Sequence, residues 1–132
     1  FTRCPDPNMC PASTARMARL QRMMENKGFQ DVHQISISLD PAYDTPAILN
    51  FYAEARGLDT ERFSLLTGPE EVIEDVLKNF GILTVDEDGI LNHTMATVIV
   101  DRNGKIIHRR EGSRWSAQAF LDRLETYLKK ES

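Results

Sequence analysis

The sequence predicts an α/β fold, a three-layer sandwich with helices packed on both faces of a sheet. Three observations predict it. Apolar residues recur alternately at helical and at extended spacing along the chain. The last two strands form a hairpin ahead of a closing helix. Both cysteines, Cys4 and Cys10, stand in a proline-rich loop immediately before the first helix. At 132 residues the chain is long enough for one core, so 1–132 is read as a single domain.

Each element has its own signals. Pro11 occupies the first helical position, and the helix that follows ends at Gly28, with Ala12, Met17, Leu20 and Met24 near one face. Residues 32–39 alternate, with His33, Ile35, Ile37 and Leu39 the more apolar set, and read as a strand. Asp44-Thr45-Pro46 is a cap with a first-turn proline, opening a helix through Ala55 that stops at Gly57. A short strand over 63–66 precedes a helix over 69–80, with Glu70 and Glu71 in its first turn and Gly81 beyond its end. Residues 95–110 spell a hairpin turning at Arg102-Asn103-Gly104. A helix over 116–130, with Phe120, Leu121, Leu124 and Leu128 inward, closes the chain. There is no repeat, low-complexity segment or linker.

Composition bounds the function. Apolar residues make up 41% and charged residues 27%, the balance of an ordinary globular domain. The net charge of -4 argues against a nucleic-acid partner, which needs clustered Lys and Arg. No apolar run approaches the roughly 20 residues of a membrane span. Five residues separate Cys4 from Cys10, two of them proline. That spacing alone leaves a disulfide staple, a redox pair and a metal clamp all open.

A cysteine pair leading into the first helix, with a terminal hairpin and helix, is the thioredoxin arrangement. In that fold a central strand runs directly into the cysteine loop. Only Phe1, Thr2 and Arg3 stand before Cys4 here, so the expected central strand, about five to seven residues, precedes Phe1. Three segments then resemble the Sco/SenC family of copper chaperones. FTRCPDPNMCP is similar to its Phe-Thr-x-Cys-Pro…Cys-Pro loop, and ISLDPAYDTPAILNFYAEARG to its Ser-x-Asp-Pro-x-x-Asp-Thr stretch and following helix. NHTMATVIVDRNGKII is similar to its Asp-His-Thr strand entry, with His93 at the histidine. The chain departs from the family twice: five residues rather than three lie between the cysteines, and Asn92 replaces the usual Asp.

The resemblance implies a thioredoxin-fold factor that helps to assemble the copper centre of cytochrome oxidase, with Cys4, Cys10 and His93 as metal ligands. Two thiolates and an imidazole form a soft, low-coordinate site that suits Cu(I) and is accessible to Cu(II). Cys10 at a helix N-terminus is expected to favour the thiolate, and His93 to enter the hairpin strand facing the cysteine loop. The implied partner is a copper-acceptor protein such as a cytochrome oxidase subunit. The implied compartment is the bacterial periplasm or envelope, with a membrane anchor upstream, and the mitochondrial intermembrane space ranks behind it.

Two other functions are weighed. Cys4 and Cys10 could act as the redox pair of a thiol–disulfide oxidoreductase that reduces the acceptor's cysteines. A peroxiredoxin-like peroxidase needs a Thr-x-x-Cys loop, which Thr2-Arg3-Cys4 only approaches. His33 and His108 read as strand residues, and Met9 as loop packing ahead of an auxiliary ligand. Met17, Met23 and Met24 read as helix packing. Asp40 and Asp44 read as turn and cap residues rather than an acid pair.

Overall fold

The computed structural model describes every residue except Pro5, Pro7, Asp88, Gly89 and Ser132, and only the backbone of residues 85–87, 90–93 and 131. The order is α1 (Cys10–Asn26), β1 (Gln34–Ile37), α2 (Pro46–Ala55), β2 (Phe63–Leu66), α3 (Glu70–Asn79), β3 (Thr84–Glu87), β4 (Ile90–His93), β5 (Ala96–Val100), β6 (Ile106–Glu111) and α4 (Ala117–Glu131). The local chemistry at the boundaries is as the sequence suggests. Pro11 lies in the first turn of α1, and Gly28, at φ 74°, takes the left-handed conformation just past its end. The Thr45 hydroxyl caps α2 by accepting from the Ile48 amide at 3.3 Å. Asp101 builds the β5–β6 turn, its Oδ1 accepting from the Asn103 and Lys105 amides, both at 2.9 Å.

Helix α1 is the centre of the packing. One side of it joins Leu20 and Met24 to Ile99 of β5, Trp115, and Ala117, Phe120, Leu121 and Leu124 of α4. Another places Ala18 against Ala53 of α2, Leu58 and Phe63 of β2, and Met17 touches both clusters. Buried Gln21 bridges to the α2–β2 connection by a reciprocal pair: it donates to the Asp59 carbonyl at 2.9 Å and accepts from the Asp59 amide at 3.2 Å. His108 packs edge-on against Phe120, centroids 4.9 Å apart, as a strand residue should.

The strands pair in twos: β1 parallel to β2, β3 antiparallel to β4, and β5 antiparallel to β6. The strand β1 thus keeps one edge unpaired among the described residues, and so does β5. Residues 31–37 and 96–101 line the two sides of one cleft of about 620 Å³, with Phe1 and Cys10 also on its wall. The place expected for the central strand is therefore an open cleft between β1 and β5.

Two details differ from the sequence-based expectation. Strand β1 buries Gln34, whose amide donates to the Met17 carbonyl at 2.8 Å, while Ile35 remains 52% exposed on the cleft. The face of β1 carrying Gln34 is the one turned to α1, with Val32 packed against the core and Gln34 bonded to the Met17 carbonyl. The second is the β3–β4 hairpin, which periodicity did not reveal. Its signal was the Asp88-Gly89 pair, a strong turn dipeptide flanked by short, weakly alternating segments.

Candidate metal centre

The cysteine loop is organised by Asp6. Its side chain accepts from the Asn8 amide at 2.9 Å, and its carbonyl accepts from the Met9 amide at 3.1 Å. The Cys4 thiol donates to the same carbonyl at 3.7 Å. These bonds gather Asp6, Asn8 and Met9 into a turn, and Cys4 lies close enough to Cys10 for the two thiols to interact. Both are free thiols; Cys4 is half-buried and Cys10 buried.

Burial governs Cys10. Its thiol is pushed up to about 11 by desolvation, and hydrogen bonding to Cys4 acts in the same direction. The expectation that the N-terminus of α1 would favour a Cys10 thiolate is therefore corrected for the metal-free protein. Helix-end electrostatics is a modest effect, and here loss of hydration outweighs it. A bound soft cation would supply the positive charge that balances a thiolate in so dry a place.

Two separate loops hold the cysteine loop in place. On one side stands the β1–α2 connection. Asp44, fully buried, accepts from the Thr2 amide at 3.1 Å, from the Thr2 hydroxyl, and from the Ser38 hydroxyl at 2.5 Å. Arg3 pairs with Asp40 at 2.8 Å and lies over the Tyr43 ring, 4.2 Å from its centroid. On the other side stands the β6–α4 connection. Ser113 donates to the Asn8 carbonyl, and the Trp115 indole donates to the Ser13 hydroxyl in the first turn of α1 at 3.2 Å. Asp40 and Asp44 are structural, as expected, but their role in fastening the residues before Cys4 was not legible as such.

His93, expected to enter the hairpin strand β5, lies at the end of β4, its backbone paired with Thr84. The correction follows from the additional hairpin, which ends the strand before Thr94. The His93 side chain lies outside the described residues. Its chain neighbours do bear on its position: Thr94 and Met95 line the same cleft as Cys10. Among the described residues, no three His, Cys, Asp or Glu side chains gather in a metal-binding group.

The description SCO1/SenC is that of a family model that matches residues 1–129. The chain belongs to this family. Among curated relatives, the SCO2-like protein of Rickettsia typhi is 32% identical over 114 residues, covering 81% of this chain and 53% of the relative. The chain thus spans about half the length of the curated relatives it first matches. Among solved structures, a SCO1/SenC family lipoprotein from Bacillus anthracis matches with a TM-score of 0.84 at 30% identity, over 96% of this chain and 76% of that one. A ScoI of Bradyrhizobium japonicum, solved with copper bound, matches with a TM-score of 0.76 at 26% identity, over 96% of this chain and 80% of that one. The fold is accordingly the thioredoxin-like fold of the Sco proteins. This SCO1/SenC chain carries Cys10 as the first residue of α1, with Cys4 in the loop before it.

Proposed function

We propose that this Sco chain, acting as one domain over 1–132, is a copper metallochaperone for the copper centre of cytochrome oxidase, with Cys4, Cys10 and His93 holding the metal. The observation that carries the reading is the meeting of the Cys4 and Cys10 thiols at the start of α1, in a SCO1/SenC chain. The lining of the same cleft by Thr94 and Met95, directly after His93, adds to it. The donor set is soft, which suits Cu(I) as cargo and leaves Cu(II) accessible through the imidazole. Each thiol gives up its proton as the metal binds, so the buried Cys10 is charged only when a cation is there to balance it. The partner is a copper-acceptor protein such as a cytochrome oxidase subunit. We place the protein in the bacterial envelope, attached through an upstream anchor; a relative in B. anthracis is described as a lipoprotein. No helix among the described residues is long and apolar enough to cross a membrane.

The closeness of the two thiols favours a second reading, thiol–disulfide exchange. In it, the Cys4–Cys10 dithiol would reduce a disulfide of the acceptor, the pair becoming a disulfide as the acceptor gains two thiols. Variants separate the two. Cys4→Ser or Cys10→Ser should nearly abolish tight Cu(I) binding, because a hydroxyl is a hard and poor substitute for a thiolate. His93→Ala should weaken copper binding, Cu(II) more than Cu(I), while leaving disulfide exchange largely intact. Copper affinity unchanged in either serine variant would contradict the chaperone reading.

A further inference from the structure

We infer that Asp44 is a positioning residue for the cysteine pair: through Thr2 it fixes the chain entering Cys4, and so sets how closely Cys4 and Cys10 approach. The inference rests on the cysteine pair being the working site, and not on which metal it carries.

Asp44 is the one acidic side chain among the described residues with no exposed surface, and it is far more deeply placed than a helix cap or turn requires. The cap of α2 is Thr45, so Asp44 is left over from that duty. Both of its oxygens are used. Oδ1 accepts from the Thr2 hydroxyl, and Oδ2 accepts from the Thr2 amide at 3.1 Å and the Ser38 hydroxyl at 2.5 Å. Hydrogen bonds to a carboxylate in so dry a place are strong and directional, because water does not compete for them. Two of the three donors belong to one residue, Thr2, which stands 42 positions away in sequence and two before Cys4.

The carboxylate is itself held firmly. The Asp44 amide donates to the Asp40 carbonyl at 2.8 Å, and the Ser38 hydroxyl also accepts from the Asp40 amide at 3.1 Å. Ser38 directly follows β1, so the anchor is tied to the sheet. Arg3, between Thr2 and Cys4, adds its ion pair with Asp40 and its contact with Tyr43 on the surface of the same loop. The exposed pair is worth little by itself. The buried Asp44–Thr2 link is the part that can hold a direction. With Cys10 fixed in α1, fastening Thr2 leaves little freedom for Cys4 to drift from its partner.

The two thiols report this geometry without any metal. When oxidised glutathione converts the pair to a disulfide, an S–S bond forms between Cys4 and Cys10 and two molecules of reduced glutathione leave. The equilibrium constant measures how close the thiols are held. The experiment equilibrates the chain, in chelator, with glutathione buffers of graded composition and reads the disulfide fraction by mass spectrometry. Thr2→Val removes the hydroxyl but keeps the shape, Thr2→Ser keeps the hydroxyl, and Asp44→Asn removes the doubly accepting carboxylate. The inference expects Thr2→Val and Asp44→Asn to lower the constant about tenfold, a shift of about 30 mV, and Thr2→Ser to stay near the parent value. If Asp44→Asn does not fold, the Thr2 pair decides alone. An unchanged constant in Thr2→Val, or an equal fall in Thr2→Ser, would overturn it. Failure of the parent chain to bind copper would count against the proposed function and leave this result standing.

Discussion

The Cys10 thiol illustrates how burial can decide chemistry that position alone would misjudge. It opens a helix, which favours a thiolate, yet it is only 6% exposed and its pKa is pushed up to about 11 by desolvation. Only about one Cys10 in a thousand is then ionised at pH 8, against roughly a quarter for an unperturbed thiol of pKa ~8.5. Alkylation of the reduced, metal-free protein by iodoacetamide at pH 8 should therefore leave Cys10 largely unmodified, as peptide mass mapping would detect. The same shift links to stability. The folded state keeps the Cys10 proton to higher pH than the unfolded chain does, so its contribution is fully present below the unfolded pKa and is lost as pH rises toward about 11. Denaturant titrations between pH 8 and 11 should show stability falling, with a shallower fall in Cys10→Ala. Rapid Cys10 alkylation at pH 8 in the folded protein would contradict this account.

At the scale of elements, the two unpaired edges of β1 and β5 are the feature with the largest consequence. Backbone groups at a strand edge want partners, and here two edges border one cleft into which Phe1 also faces. A chain extended upstream of Phe1 by a strand of five to seven apolar residues should fill that cleft and pair with both edges. Its melting temperature should rise, and hydrogen exchange at Ile35 and Ile37 should slow. Unchanged exchange at those amides would show that the cleft is not a strand site. The helices, by contrast, were legible almost to the residue, because Pro11, Thr45-Pro46 and the glycines after α1, α2 and α3 punctuate the sequence unambiguously. Strands were harder. Strand β1 has only four residues, and its buried face includes Gln34, bonded to the Met17 carbonyl, a polar residue that an apolar periodicity passes over. The β3–β4 hairpin was missed because its strands alternate too weakly to outweigh a loop reading. Of the candidate site, the cysteines were visible as residues, but their contact depends on an Asp6 turn and on two remote loops, and such long-range fastening leaves no local pattern. The joint between Asp44 and Thr2 is of that kind.

At the scale of the whole molecule, α1 carries the cysteine site on its first turn and the core along its length. Trp115 couples the two: its indole bonds Ser13, and its ring packs against Phe120 at 4.8 Å in the cluster that holds α4 to α1. The site is thus mounted on the most heavily packed helix, while the loops from β1 and β6 steady its approach. A rigid base with a closable pair of thiols is what a protein needs to receive a soft ion and release it to a partner, since little is reorganised in either step. The same arrangement would serve dithiol exchange, and the two readings part over the histidine. The most direct measurement is titration of the fully reduced protein with Cu(I), with X-ray absorption of the bound metal, for the parent and for His93→Ala. The account predicts one copper per chain, coordinated by two sulfurs and one nitrogen, with the nitrogen lost and the affinity lowered in His93→Ala. Copper held by sulfur alone in the parent, with unchanged affinity in His93→Ala, would contradict it.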